Sequence, residues 1–175
     1  GQDTGADMKI ASVTSTVRGG TDALLSEVAN LLQAQGMSLA GIVKGFGYSG
    51  VFENGCDTKV WVLPEGPVIK ITQDLGAGSD ACRLDPGAIA QAVATVESGA
   101  LEDADLFILN KFGPEEAAGR GFCSAIGAAI ERYIPVLVGV GVASKPAFKD
   151  FTGGLATTIE PQTDAIIAWL RDNAS

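Results

Sequence analysis

Short apolar runs alternate along this chain with stretches of helical spacing, and that alternation restricts the fold more than any other feature. "MKIASVT", "LAGIVKGF", "ADLFILNKFG" and "IPVLVGVGV" each read as a buried strand. Between the first two, Asp22 to Gln35 places Leu24, Leu25, Val28, Leu31 and Leu32 on one stripe, with Gly36 as a stop. "AIAQAVATVESGAL", "GRGFCSAIGAAIERY" and "QTDAIIAWLRD" read as further helices, and "KPAFKDF" as a short helix or turn. Pro86 suits the first turn of the helix that it opens. "KVWVLP" and "VIKITQD" alternate around "EGP", which predicts a hairpin, and "GLATTIE" predicts an edge strand. Strands that are apolar throughout need cover on both faces. The expected fold is therefore one α/β domain over residues 8–175, with three layers and a mostly parallel sheet flanked by helices. Residues 1–7 read as a flexible tail or a cloning remnant.

In such sheets ligands bind beyond the carboxyl ends of the strands. The first of those ends is followed by "TSTVRGGT", which overlies the phosphate-binding pattern G-x-x-x-x-G-K-[ST]. Thr14 stands at the first glycine, Ser15, Thr16, Val17 and Arg18 at the free positions, and Gly19 at the second glycine. Gly20 holds the lysine position and Thr21 the hydroxyl position. A cradle of backbone N–H groups at a helix start needs no particular side chain and can outlast the lysine. The same residues also read as an ordinary turn with Thr21 capping the helix.

A second candidate lies in "DADLFILNKFGPEEAAGRGF". A magnesium-dependent phosphotransferase places an acidic residue at the end of such a strand. Asn110 and Lys111 stand there instead, so the expectation is an anion site in which Lys111, with Arg18 and Arg120, replaces the missing charge. The alternative is a solvated strand end. A third candidate is "TQDLGAGSDACRLDPG", read as a glycine-rich loop. Arg83 there suits an anion, Asp85 competes for it as a partner, and Cys82 is either a small buried residue or half of a pair with Cys56. Cys123 sits among helical apolar residues and reads as core.

Composition removes whole classes of chemistry. The chain has no histidine, so no Ser–His–Asp or Cys–His triad is possible. Asp57, Asp74, Asp80, Asp85 and Asp105 have no spacing that predicts a carboxylate dyad. No catalytic or metal-ligating set is expected. A net charge of −9 disfavours nucleic acid and anionic membranes as partners. No apolar run approaches the ~20 residues that cross a bilayer. The opening "GQDTGADMKI" has no apolar leader core, and three widely spaced cysteines suit a reduced cytoplasm, the expected location.

Three long stretches, "VIKITQDLGAGSDACRLDPGAIAQAV", "ADLFILNKFGPEEAAGRGF" and "IPVLVGV", together with "TDALL" and "GCD", resemble a bacterial family known as domain of unknown function 2478. The likeness runs over nearly the whole chain from Met8. That family is similar to the small P-loop nucleoside-triphosphatases, which implies a P-loop-like sheet. In those enzymes the strand resembling "LFILNKFGPEE" carries an acidic pair where Asn110 and Lys111 stand, followed by a similar Gly-Pro. This chain departs from the triphosphatase pattern at Gly20, Asn110 and Lys111. The family's association with molybdate-uptake genes implies a tetrahedral oxyanion as one candidate ligand. The resulting expectation is a non-hydrolytic binder of a small anionic ligand, either a nucleotide or a phosphate- or molybdate-like oxyanion. The alternatives are a weak nucleoside-triphosphatase or phosphotransferase, and an interaction protein whose ancestral pocket is empty.

Overall fold

The computed structural model describes residues 9–17, 19–45, 58–74 and 82–173, with only the backbone of Gln73, Asp74 and Cys82. It is a single α/β domain built on a seven-stranded sheet. The strands are β1 (Ile10–Val13), β2 (Leu39–Lys44), β3 (Lys59–Val62), β4 (Val68–Lys70), β7 (Leu106–Leu109), β8 (Val136–Gly139) and β9 (Thr157–Ile159). Their order across the sheet is β4-β3-β2-β7-β8-β1-β9. From β2 to β9 every neighbouring pair is parallel, and β3 and β4 add an antiparallel hairpin at one side.

Alternation along the buried strands sorts side chains between two cores. Ala11, Val13, Leu106, Ile108 and Leu137 meet α1 (Gly20–Ala34) and α6 (Thr163–Asn173). Ile10, Phe107, Leu109, Val136 and Val138 meet α2 (Pro86–Glu97), α4 (Cys123–Glu131) and α5 (Lys145–Thr152). This is the expected three-layer arrangement, in which each helix buries one stripe. Gly41 shows how tightly β2 lies on β7. It adopts φ +105°, and a Cβ there would overlap the carbonyl oxygen of Ile108.

Three local readings are corrected. "VIKITQD" is not one strand, because β4 ends at Lys70 and the chain turns at Ile71 into β5 (Thr72–Asp74). β5 pairs antiparallel with β6 (Cys82–Leu84), so "CRL" is the return strand of a ribbon and not loop. The helix expected through Leu101 stops at Glu97, and a 3₁₀ turn over Ala100–Asp103 carries Leu101 into the core. A one-turn helix, α3 (Pro114–Ala117), was not anticipated. The loop "GYSGVFENGCD" lies outside the described residues, as do residues 1–7. Among the described residues no helix is long and apolar enough to cross a membrane.

Candidate functional site

The carboxyl ends of β1, β2, β7 and β8 open onto a common edge, and the first loop folds back on itself there. Gly19 is the N-cap of α1, with φ +74°, so the helix starts without a side-chain cap. Thr21 is therefore not the cap. Its Oγ1 instead accepts the N–H of Ser15 at 2.9 Å, tying the loop's start to the helix. The Val17 N–H donates to Ser15 Oγ at 3.1 Å, and the Gly20 N–H to the Val17 carbonyl at 2.8 Å. Three of the amides that an anion cradle would use are thus engaged within the loop.

The same folding explains the missing lysine. A Cβ on Gly20 would overlap Ser15 Oγ and lie 3.2 Å from the Cβ atoms of Ser15 and Val17. Rotating Ser15 away would break its bond to the Val17 N–H, at a cost of about 1 kcal/mol. Gly20→Lys alone is therefore expected to lower stability by about 1–2 kcal/mol. Adding Ser15→Gly should remove most of the overlap with residue 15. Chemical denaturation of the single and double variants checks this, and an undestabilised single variant would contradict it.

β7 reaches this loop although it is not a neighbour of β1. β8 lies between them, and its last residue is Gly139. A Cβ on Gly139 would overlap the Asn110 carbonyl oxygen and lie 2.8 Å from Thr21 Cγ2. Glycine here lets the end of β7 and the start of α1 close over β8. Asn110 Nδ2 then donates to Asp22 Oδ1 at 3.1 Å. Asp22 was missed by the motif alignment because it lies one residue past the pattern.

Two cavities meet at this junction. One, of about 320 Å³, lies over the first loop and is lined by Ser15, Thr16, Val17, Gly19, Thr21 and Gly139 to Gly141. The other, of about 280 Å³, lies under the β5–β6 ribbon against Ile42, Ile71, Leu84, Ile89 and Phe122, with Thr58 and Thr72 adding hydroxyls and Lys44, Glu115 and Glu116 adding charged side chains. Asp22, Asn110 and Lys111 line both. Lys111 is exposed.

The other expected site residues fall elsewhere. Arg120 forms a two-pronged pair with Glu115, Nε to Oε1 at 3.0 Å and Nη2 to Oε2 at 3.3 Å, and lines neither cavity. Its guanidinium holds the Glu115 carboxyl below the usual range. Arg83 is exposed on the ribbon, across from Gln73, and lines neither cavity although its neighbour Leu84 does. Asp85 is the N-cap of α2, its carboxylate accepting the N–H groups of Gly87 and Ala88, which is a structural use of that side chain. Thr14 is partly buried beside the loop. The backbone of Cys82 lies on β6, while Arg18 and Cys56 are outside the described residues. Asp105 accepts the Ser38 N–H and so joins the amino ends of β2 and β7, far from this edge.

Glu116 was not singled out in the sequence, yet it organises the loop after β7. It is buried, and its carboxylate accepts the N–H of Gly113 and of Phe122, each at 3.0 Å. Burial pushes its pKa above the ordinary 4.5, against those two hydrogen bonds, which lower it. The Cys123 thiol donates to the Glu116 carbonyl at 3.1 Å. Burial, with the nearby Glu116 charge, raises its pKa, so this half-buried thiol is a poor nucleophile. Among the described residues no cluster of three or more acidic, cysteine or histidine side chains could hold a metal.

The family profile described as "Protein of unknown function (DUF2478)" matches residues 10–169. The molybdenum import ATP-binding protein ModC 2 of Bradyrhizobium diazoefficiens is 36% identical over 169 residues. That match covers 95% of this chain and only 18% of that protein, so the chain spans less than a fifth of the relative's length. Among solved structures, a human cancer-related nucleoside triphosphatase superposes with a TM-score of 0.59 at 16% identity, over 93% of each chain. THEP1 from the hyperthermophile Aquifex aeolicus gives 0.55 at 13% identity, over 93% of this chain and 94% of that one. At these identities the likeness is one of fold.

Proposed function

The chain belongs to the DUF2478 family and has the fold of the nucleoside-triphosphatases, and from that premise we propose that it binds an organic anion of nucleotide type without hydrolysing it. The supporting observation is that a cavity over the first loop and one of mixed lining, with an apolar wall of Ile42, Ile89 and Phe122, join at Asp22, Asn110 and Lys111. A ligand spanning both would place its anionic group beside Lys111 and the hydroxyl of Thr16. Its ring or other apolar body would lie against Ile42, Ile89 and Phe122. Each cavity is near the lower end of the size range for small-molecule sites, and an apolar wall with a few placed polar groups is their usual composition.

The non-hydrolytic part of the proposal rests on chemistry. Gly20 offers no ammonium, and Asn110 is a neutral and weaker magnesium ligand than a carboxylate. The Thr21 hydroxyl already accepts the Ser15 N–H. Lys111 then carries the attraction. Lys111→Ala should remove one charge-assisted contact, worth on the order of 1.5–3 kcal/mol, or roughly a ten- to hundredfold loss of affinity. The experiment is a thermal-shift screen of nucleotides, phosphate, sulfate, molybdate and tungstate, followed by titration of wild type and Lys111→Ala. Equal affinity in the two proteins would reject the assignment of Lys111.

A bare oxyanion is the second reading. The cavity over the first loop can take one without using the cavity under the ribbon, and the relative's name concerns molybdenum import. Molybdate or phosphate stabilising the protein more than any nucleotide would favour it. Magnesium-dependent turnover that disappears in Thr21→Ala would instead establish an enzyme. A screen with no stabilising compound would leave the interaction-protein alternative. Residues 8–175 are proposed as the ligand-binding unit, in a cytoplasmic setting.

A further inference from the structure

Ser12 is the anomaly of the sheet. On its face of β1, β7 and β8 the neighbouring buried side chains are Ile10, Phe107, Leu109, Val136 and Val138. Ser12 is 8% exposed, and its hydroxyl has no hydrogen-bond partner among the described residues. Its oxygen is not sealed in the core, since no fully buried side-chain oxygen or nitrogen among the described residues lacks a partner. The hydroxyl instead faces a cavity of about 280 Å³ between β1, the edge strand β9 and α5.

The other polar groups of that cavity are of one kind. Lys145 and Lys149 are four residues apart on α5, so both lie on the same side of the helix and line it. Neither is in an ion pair among the described residues. Thr158, level with Ser12 in the parallel register, adds a second hydroxyl. The Thr152 hydroxyl is already committed to the Phe148 carbonyl at 3.1 Å. No carboxylate lines the cavity among the described residues. Two like charges placed together beside uncommitted hydroxyl donors favour a group that is negative and rich in acceptors.

We propose that this cavity is a second anion site, separate from the first loop, which takes a small tetrahedral oxyanion on Ser12, Thr158, Lys145 and Lys149. The site does not depend on the proposed function above, and its reporters do not overlap with that site. Val140 lines both cavities, but Thr158 and the residues of α5 line only this one of the two.

The test is a titration of ¹⁵N-labelled protein with inorganic phosphate, followed by NMR at constant ionic strength, with acetate as a second arm. The expected result is saturable movement of the Ser12, Thr158 and Lys145–Thr152 amide signals with phosphate, and weaker movement with acetate. Ser12→Ala should bind phosphate about tenfold more weakly while melting close to the wild-type temperature without phosphate. Lys145→Gln with Lys149→Gln, both at exposed positions, should abolish saturation. Linear, unsaturable shifts, or equal phosphate affinity in wild type and either variant, would overturn the proposal. Equal response to acetate would overturn the tetrahedral assignment.

Discussion

Gly139→Ala is expected to destabilise the protein by about 3 kcal/mol, the upper part of the usual range for overpacking. The reason is the geometry at the end of β8. The added Cβ would overlap the Asn110 carbonyl oxygen, which belongs to backbone and cannot rotate aside, and would press on Thr21 Cγ2 from 2.8 Å. Either the end of β7 must leave β8, or α1 must lift from the sheet. Both movements separate Asn110 from Asp22, whose 3.1 Å hydrogen bond joins the two cavities' shared wall. For a chain of this length the loss corresponds to a melting temperature roughly 10 °C lower. Ligand affinity should fall as well, since the lining of both cavities shifts. Gly127→Ala is the control, because a Cβ at that helical glycine meets nothing within 4 Å. A Gly139→Ala protein as stable as that control would refute the account of the junction.

Replacing Glu116 should have an effect of similar size for a different reason. Its carboxylate is the acceptor for the Gly113 and Phe122 amides. Glu116→Ala leaves both buried donors unsatisfied, each at a cost of about 1–3 kcal/mol, partly offset by no longer burying a carboxylate. The expected net loss is about 3 kcal/mol. Glu116→Gln keeps one acceptor oxygen but turns an N–H group toward a backbone N–H, so it should fall between alanine and wild type.

The pH dependence follows from the raised pKa of Glu116. The folded state holds this proton more tightly than the unfolded state does. The resulting stability is fully present below the ordinary value of 4.5 and is lost as pH rises through the folded value. Because Glu116→Gln does not titrate at this position, its deficit relative to wild type should shrink as pH rises above 4.5 and then level off. Urea denaturation of both proteins across that window measures it. A deficit that grows with pH would mean that the two hydrogen bonds outweigh burial.

The elements of this fold were legible because their signals are local. Apolar runs and helical stripes report which face of a segment must leave water, and the strands and major helices fall where those patterns place them. The ribbon after Lys70 was less legible, since "VIKITQD" carries one continuous pattern and the turn at Ile71 has no glycine or proline to mark it. The candidate site was legible only in part. Glycine-rich loop chemistry pointed to residues 14–21, and the end of an apolar run pointed to Asn110 and Lys111. The roles of Asp85 and Glu116 were hidden, because capping a helix and satisfying two amides require no recognisable motif.

By itself the sequence determined the alternation of strands and helices and the absence of histidine chemistry. It also determined the departures from the triphosphatase pattern at Gly20, Asn110 and Lys111. Only the tertiary structure decided what surrounds Gly20 and Asn110. It places β8 between β1 and β7, so that Gly139 becomes the point over which Asn110 meets Asp22, 88 residues away in the chain. It folds Ser15 into the space that a Gly20 side chain would need, and pairs Arg120, which lines neither cavity, with Glu115. It also brings Ser12, Lys145 and Lys149 to the lining of one cavity. The physical reason is that periodicity fixes which face of an element is buried, whereas strand order and close packing fix which residues meet across that face.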